Sequence, residues 1–270
     1  MTTGKIDIGG IALHYALSGP EDAPVVSLNH CFAADHRYWD LHMPAFDGFR
    51  VLRHDARGHG RSDAPPGAYA LAMMAADLVG LLDALGIEQA HLCGVSMGGM
   101  VSQTVALDYP DRVASLALIN TTSEYDAGQL RTWRERAALV LDKGIAEVHA
   151  PLMARWFTDD AAAKQLPGYV YMDDMIGRFT PESFAAISAA MCGLNTTERL
   201  AELNLPALVV ATRNDPGVPT ATSQRIADEL GVEPYWLEPA RHLATLEHPE
   251  TFNRLIRDFL KGVLDGGTLK

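Results

Sequence analysis

The chain opens with apolar residues at every second position: Ile6 and Ile8, then a Gly9-Gly10 pair, then Ile11, Leu13, Tyr15 and Leu17. Such alternation turns one face of an extended chain toward a core, and paired glycines tolerate the positive φ of a tight turn. The pattern predicts an antiparallel hairpin over 5–17. Further on the rhythm changes to short, nearly continuous apolar runs at Val25–Leu28, Val51–His54, Ala90–Cys93, Val113–Ile119, Ala207–Ala211 and Pro234–Leu237. These read as strands buried on both faces. Helical spacing fills most of the gaps, notably 71–85, 97–108, 220–230 and 250–263. The first of these carries Asp77 and Asp83 at helical spacing and reads as an amphipathic helix. Strands alternating with helices predict the α/β class, with a mainly parallel sheet covered on both faces.

One interval departs from that rhythm. From Ser123 to Asn204 no convincing strand occurs, and Pro151, Pro167 and Pro181 are expected to separate helices. The organisation read from this is a core formed by 1–122 and 205–270, with 123–204 as a helical cap. Such a cap belongs over the carboxyl ends of the strands, where open α/β sheets place their ligands.

Charge and cysteine content narrow the partners. Across 270 residues, 34 Asp and Glu outnumber 22 Lys and Arg, a net charge of −12. That excess repels a phosphate backbone or an anionic membrane at long range, so neither nucleic acid nor membrane is expected as partner. No run of about 18 apolar residues escapes interruption by charge, and Met1–Gly10 lacks a signal-peptide pattern. Cys31, Cys93 and Cys192 are odd in number and show no CxxC spacing, which suits a reducing, cytoplasmic location. A metal set of His30, Cys31, His36 and His42 is set aside, since nearby ligands in a loop need not converge. No metal and no cofactor are expected.

The chemistry concentrates at Gly94-Val95-Ser96-Met97-Gly98, which leaves the strand at 90–93 and opens the helix at 97. This strand–turn–helix context is what a nucleophile elbow requires. A sharp turn strains the serine backbone, and the flanking glycines leave room where a Cβ would collide. A serine hydroxyl needs a base to take its proton, and the base needs an orienting acid. Asp215 follows the strand at 207–211, and His242 follows that at 234–237. Among rivals, His248 before Pro249 reads as a helix-capping position, Asp108 and Asp111 as solvated turn residues, and Asn120 as unable to ionise.

An oxyanion formed by attack needs two donors. Met97 supplies one amide at the helix start, and Phe32, in the turn after Val25–Leu28, supplies a second; each such donor is typically worth ~2.7–4 kcal/mol in the transition state. Cys31 reads as a small filler and His30 as a packing histidine tied to nearby backbone. The segment His54–Ser62 is dense in glycine and charge, yet it lacks the Gly-Lys-Ser/Thr of a phosphate loop. Asp55 and its arginines are expected to tie this loop beneath the oxyanion segment.

In order along the chain, NHCF, DARGHGRS, GVSMGGM, the Asp215 segment and His242 resemble the α/β-hydrolase superfamily over nearly the whole length. The resemblance implies an α/β-hydrolase fold: a mostly parallel eight-stranded sheet with a helical cap inserted before the acid-bearing strand. Within the superfamily, GVSMGGMVSQ, the RWFT of Arg155–Thr158 and HLATLEHPETFNRLIRDFL look like the 3-oxoadipate enol-lactonase branch. His30-Cys31, Thr212 and His248 depart from that branch, which bears on the substrate and not on the triad. By the same resemblance Trp133 lines the pocket, with a plain core role as the alternative. Arg131, Arg134 or Arg155 would receive substrate carboxylates.

The resulting expectation is a hydrolase of a small-molecule lactone or carboxylic ester, with Ser96, His242 and Asp215 as the triad. Two alternatives stand beside it: carbon–carbon hydrolysis of ring-fission products by the same triad, and a non-catalytic receptor on the same fold. A dehalogenase would need Asp at position 96.

Overall fold

The structure, a computed structural model, describes residues 1–266. Eight strands form one sheet in the order β1-β2-β4-β3-β5-β6-β7-β8. They are β1 (Thr2–Asp7), β2 (Ala12–Ser18), β3 (Val25–Asn29), β4 (Arg50–His54), β5 (Ala90–Val95), β6 (Val113–Ile119), β7 (Ala207–Ala211) and β8 (Tyr235–Trp236). β1 and β2 form the expected hairpin, and β2 joins β4 antiparallel. All remaining pairings are parallel, so the carboxyl ends of β3 to β8 share one edge. The chain therefore has the α/β fold that the alternation of strands and helices predicts.

Around the sheet lie α1 (Leu71–Ala84) and α2 (Met97–Asp108), and after the helical interval α8 (Thr220–Leu230), α9 (Ala244–Glu247) and α10 (Pro249–Leu264). Helix α2 is buried along its length from Met97 to Leu107, because it is enclosed on every side at the centre of the fold. Asp77 of α1 departs from expectation. It is buried and bound by both arms of Arg57, at 2.5 and 2.6 Å, instead of facing solvent. The ion pair lets a carboxylate sit on a core-facing position.

Between β6 and β7 run α3 (Ala127–Lys143), α4 (Ala146–Trp156), α5 (Asp159–Ala163), α6 (Pro167–Gly177) and α7 (Pro181–Cys192). Their starts follow local chemistry. Asp126 and Gln129 form a capping box on α3, Thr158 and Thr180 cap α5 and α7, and Pro167 and Pro181 take first-turn positions where no amide hydrogen is needed. Pro151 does not act as a break; it lies inside α4. It and Glu147, whose carbonyl loses its partner, are both exposed, so water can replace the missing bond. No helix among the described residues is long and apolar enough to cross a membrane.

Candidate active site

Ser96 sits at the turn between β5 and α2 with φ 52° and ψ −115°, a conformation that a residue with a Cβ rarely adopts. Packing around the turn holds it there. A Cβ at Gly94 would lie 2.4 Å from the Gly98 carbonyl oxygen, and one at Gly98 would lie 2.1 Å from that of Asn29. The Ser96 amide donates to Ile119 at 2.9 Å, and the Thr121 hydroxyl donates to the Ser96 carbonyl at 2.7 Å.

Three residues from three strand ends meet here. His242 Nε2 lies 2.8 Å from Ser96 Oγ, and its Nδ1 lies 2.7 Å from Asp215 Oδ2. With Nδ1 donating to the carboxylate, Nε2 is left to accept the serine proton. The other Asp215 oxygen accepts from the amides of Gly217 at 2.6 Å and Val218 at 3.0 Å. Burial alone would raise this carboxyl. The opposing charge and hydrogen bond of His242, helped by the Gly217 amide and the Asn120 side chain, outweigh it and hold Asp215 below the usual carboxylate range.

Asn120 matters although it cannot ionise. Its amide nitrogen donates to Asp215 Oδ2 and to the Thr212 hydroxyl, both at 3.2 Å. Thr212 in turn donates to the Arg241 carbonyl at 3.3 Å. The acid is thus oriented from β6 and β7 together. The sequence signal available was Asn120's place at the end of the strand next to β7.

Phe32 and Met97 are both buried. Met97 is the first residue of α2, so its amide is not used by the helix. The Phe32 ring packs edge-on against Trp133 at 5.4 Å, Phe179 at 5.3 Å and Phe184 at 5.0 Å. Two histidines brace the backbone beside it. His30 Nδ1 bonds the Cys31 carbonyl at 2.8 Å and its Nε2 accepts from Ala56 at 3.0 Å, while His59 Nε2 accepts from Ala33 at 3.2 Å. Burial pushes both histidines below the usual range, which suits these acceptor roles. The 54–62 loop therefore supports the 30–33 segment, but through His59 and the Ala56 amide; Asp55 and Arg57, expected to make the tie, turn to His36 and Asp77 instead. Cys31 is buried, and burial pushes its thiol well up, away from reactivity.

The three histidines of the set-aside metal reading go to separate partners: His36 to Asp55, His42 to Asn253, and His30 to the carbonyl of Cys31. A different trio, His14, His36 and Asp55, brings ligand-type atoms within 4.8 Å of one another. Asp55, however, already accepts from His36 N at 2.7 Å, His36 Nδ1 at 2.8 Å and Arg61 N at 2.8 Å, which makes it a loop brace. His248 starts α10 without a side-chain cap; its Nε2 meets the Pro239 carbonyl at 2.6 Å instead.

Above Ser96 and His242 lies a cavity of about 310 Å³ lined from α3 and α4, with Trp133, Arg136 and Arg155 among its walls. Of the three arginines suggested by resemblance, Arg155 lines it while Arg131 and Arg134 are exposed. Arg136 was missed, although Gln129, Thr132, Trp133 and Arg136 share one helical face. Among the described residues no carboxylate pairs with Arg136; it stacks over Trp133 at 5.5 Å. Burial, then the neighbouring charge of Arg155, lowers its affinity for a proton.

Comparison with known proteins agrees with this architecture. Residues 24–249 match the family model described as the alpha/beta hydrolase fold. The chain is 28% identical over 252 residues to 3-oxoadipate enol-lactonase 2 of Acinetobacter baylyi, covering 93% of this chain and 94% of that one. It is 35% identical to the proposed carbamate hydrolase RutD of Variovorax paradoxus, covering 93% and 97%. The crystal structure of the enol-lactonase from Burkholderia xenovorans superposes with a TM-score of 0.91 at 29% identity, covering 96% and 100%. This protein belongs to the α/β-hydrolase family.

Proposed function

We propose that the protein is a serine hydrolase that opens a lactone or cleaves a small carboxylic ester, with 123–204 acting as the cap over its site. The observation that carries this reading is the continuous chain from Ser96 Oγ through His242 to Asp215, at 2.8 and 2.7 Å, on the floor of a cavity. His242 takes the Ser96 proton as Oγ attacks the carbonyl carbon, and Asp215 steadies the imidazolium that results. The amides of Phe32 and Met97 hold the oxyanion. Collapse of the tetrahedral intermediate, with His242 returning the proton to the leaving oxygen, produces an acyl-enzyme on Ser96. A water activated by His242 then releases the acid. In a lactone the alcohol and acid remain one molecule.

A half-buried guanidinium without an anion is costly, so Arg136, with Arg155 beside it, favours substrates that bring a carboxylate of their own. The likeness to an enol-lactonase, whose name specifies a lactone, supports the same class. The RutD likeness adds carbamates, whose carbonyl would meet the same attack. Replacing Ser96 by Ala should abolish turnover of p-nitrophenyl acetate and labelling by a fluorophosphonate while the fold persists. Undiminished turnover in that variant overturns the assignment, and a wild type that forms no adduct favours a receptor. A panel of lactones, small esters, carbamates and ring-fission diketones assigns the bond.

A further inference from the structure

A second cavity, of about 450 Å³, lies between α3 and α7, and Trp133 lines both it and the cavity over Ser96. Trp133 is therefore a wall that the two share. On one side are Ser96 and His242; on the other are Ala137 of α3 and Ala185, Ser188, Ala189 and Cys192 of α7. Positions 185, 188, 189 and 192 follow the spacing of one helical face, so α7 offers a lane of short side chains. Such a lane admits a slender aliphatic arm, while Arg134 of α3 also lines the space and, with Ala189 and Gly193, is exposed, so the lane is open to solvent on its outer side.

Two further observations describe the wall between the two spaces. Ser188 is 1% exposed, and its hydroxyl has no hydrogen-bond partner among the described residues. That hydroxyl is closed off from solvent, so it makes no polar demand on the lane, and an aliphatic arm neither gains nor loses a partner there. The Trp133 ring packs against Phe32 at 5.4 Å, Phe184 at 6.4 Å and Tyr125 at 6.5 Å. These rings hold the indole in its place between the two cavities.

We propose that Trp133 determines substrate length: it confines the site to short esters and lactones, and the α3–α7 cavity is the space a straight aliphatic arm would occupy if the indole were removed. Trp133 acts here as a specificity residue, outside the proton-transfer chain. Where it reads turnover, the test rests on the serine-hydrolase reading, so a measurement without turnover accompanies it.

The experiment compares kcat/KM for p-nitrophenyl acetate and p-nitrophenyl octanoate, and for methyl and octyl acetate, in the wild type, Trp133→Ala and Trp133→Leu. Two variants guard against one that folds poorly. In at least one of the two ester series, the long-to-short ratio should rise by about tenfold or more in both variants, as burial of a few added methylenes implies. Adding Ala189→Trp, which fills the lane from the α7 side, should return the ratio to its wild-type value. An unchanged ratio in both series overturns the proposal. So does a rise that survives Ala189→Trp, because the arm then lies elsewhere. If the wild type turns over none of these esters, or Ser96→Ala leaves turnover intact, the hydrolase reading falls and calorimetry with sodium octanoate decides. Binding about tenfold tighter to Trp133→Ala than to Trp133→Ala/Ala189→Trp supports the proposal, and equal binding refutes it.

Discussion

Gly98→Ala tests whether the packing of the turn at Ser96 sets the reaction rate. The added Cβ would lie 2.1 Å from the Asn29 carbonyl oxygen and 2.7 Å from that of His30, both on the backbone leading to Phe32. To reach the 3.4 Å of ordinary contact, the start of α2 and the end of β3 must part by about 1.3 Å. Asn29 cannot simply yield, because its side chain donates to Ser102 Oγ at 2.7 Å, which donates in turn to the Gly98 carbonyl at 2.7 Å. The overpacking should cost roughly 1–3 kcal/mol, offset in part by the ~1 kcal/mol that Ala gains over Gly inside a helix. Catalysis should suffer more than stability. A shift of about 1 Å between the Phe32 amide and Ser96 is expected to lower kcat/KM by roughly 10²-fold. Gly177→Ala is the matched control, because a Cβ there meets nothing within 4 Å. Steady-state kinetics on p-nitrophenyl acetate, with thermal melts, read both effects. Kinetics for Gly98→Ala indistinguishable from those of Gly177→Ala would show that turnover does not depend on this contact.

Arg136→Ala should raise KM for carboxylated esters by roughly 10-fold or more while leaving neutral esters nearly unaffected, as loss of a charge-assisted contact implies; equal effects on both classes would remove the carboxylate role. Asp77→Ala leaves the Arg57 guanidinium, whose side chain is 10% exposed, without its anion and should cost about 3–5 kcal/mol in urea denaturation. The double variant Arg57→Met/Asp77→Leu should regain most of that loss, and failure to do so would mean the pair does more than neutralise itself. Burial lowers His42 to about 4 and His54 to about 3, so from pH 6.5 downward the unfolded chain binds protons that the folded chain refuses. Stability is therefore complete above that range and falls as the solution is acidified, by roughly 3–4 kcal/mol for the two together between pH 7 and pH 5. Denaturation curves that coincide at those two values would contradict the burial of these rings in neutral form.

Periodicity and breakers made most of the scaffold legible. The hairpin, the strands between 25 and 119 and at 207–211, and helices α2 and α8 fall where their patterns place them, because each is set by an alternation, an apolar run or a helical spacing within its own segment. Ser96, Asp215 and His242 were readable because each follows an apolar run, and parallel strands bring such positions to one edge. What escaped depends on contacts across the sheet. Asn120 was dismissed for lacking charge, although its role is to donate to Asp215. Helical spacing alone does not place Asp77 in the core, because its partner lies 20 residues away in a loop. Arg136 could be separated from Arg131 and Arg134 only once the orientation of α3 over the cavity was known.

Phe32 joins two parts of the molecule that are usually considered separately. Its ring is socketed among aromatic residues of the helical segment, while its amide belongs to the loop beside the serine. If, as proposed, 123–204 caps the site and the Phe32 amide serves the oxyanion, a segment transplanted from a relative would carry its own socket, and unless that socket accepted this ring at the same depth, the amide below would be displaced. Exchanging the roof to obtain a new specificity therefore perturbs turnover as well, and chimaeras that keep Trp133, Phe179 and Phe184 together are the ones expected to retain their rate.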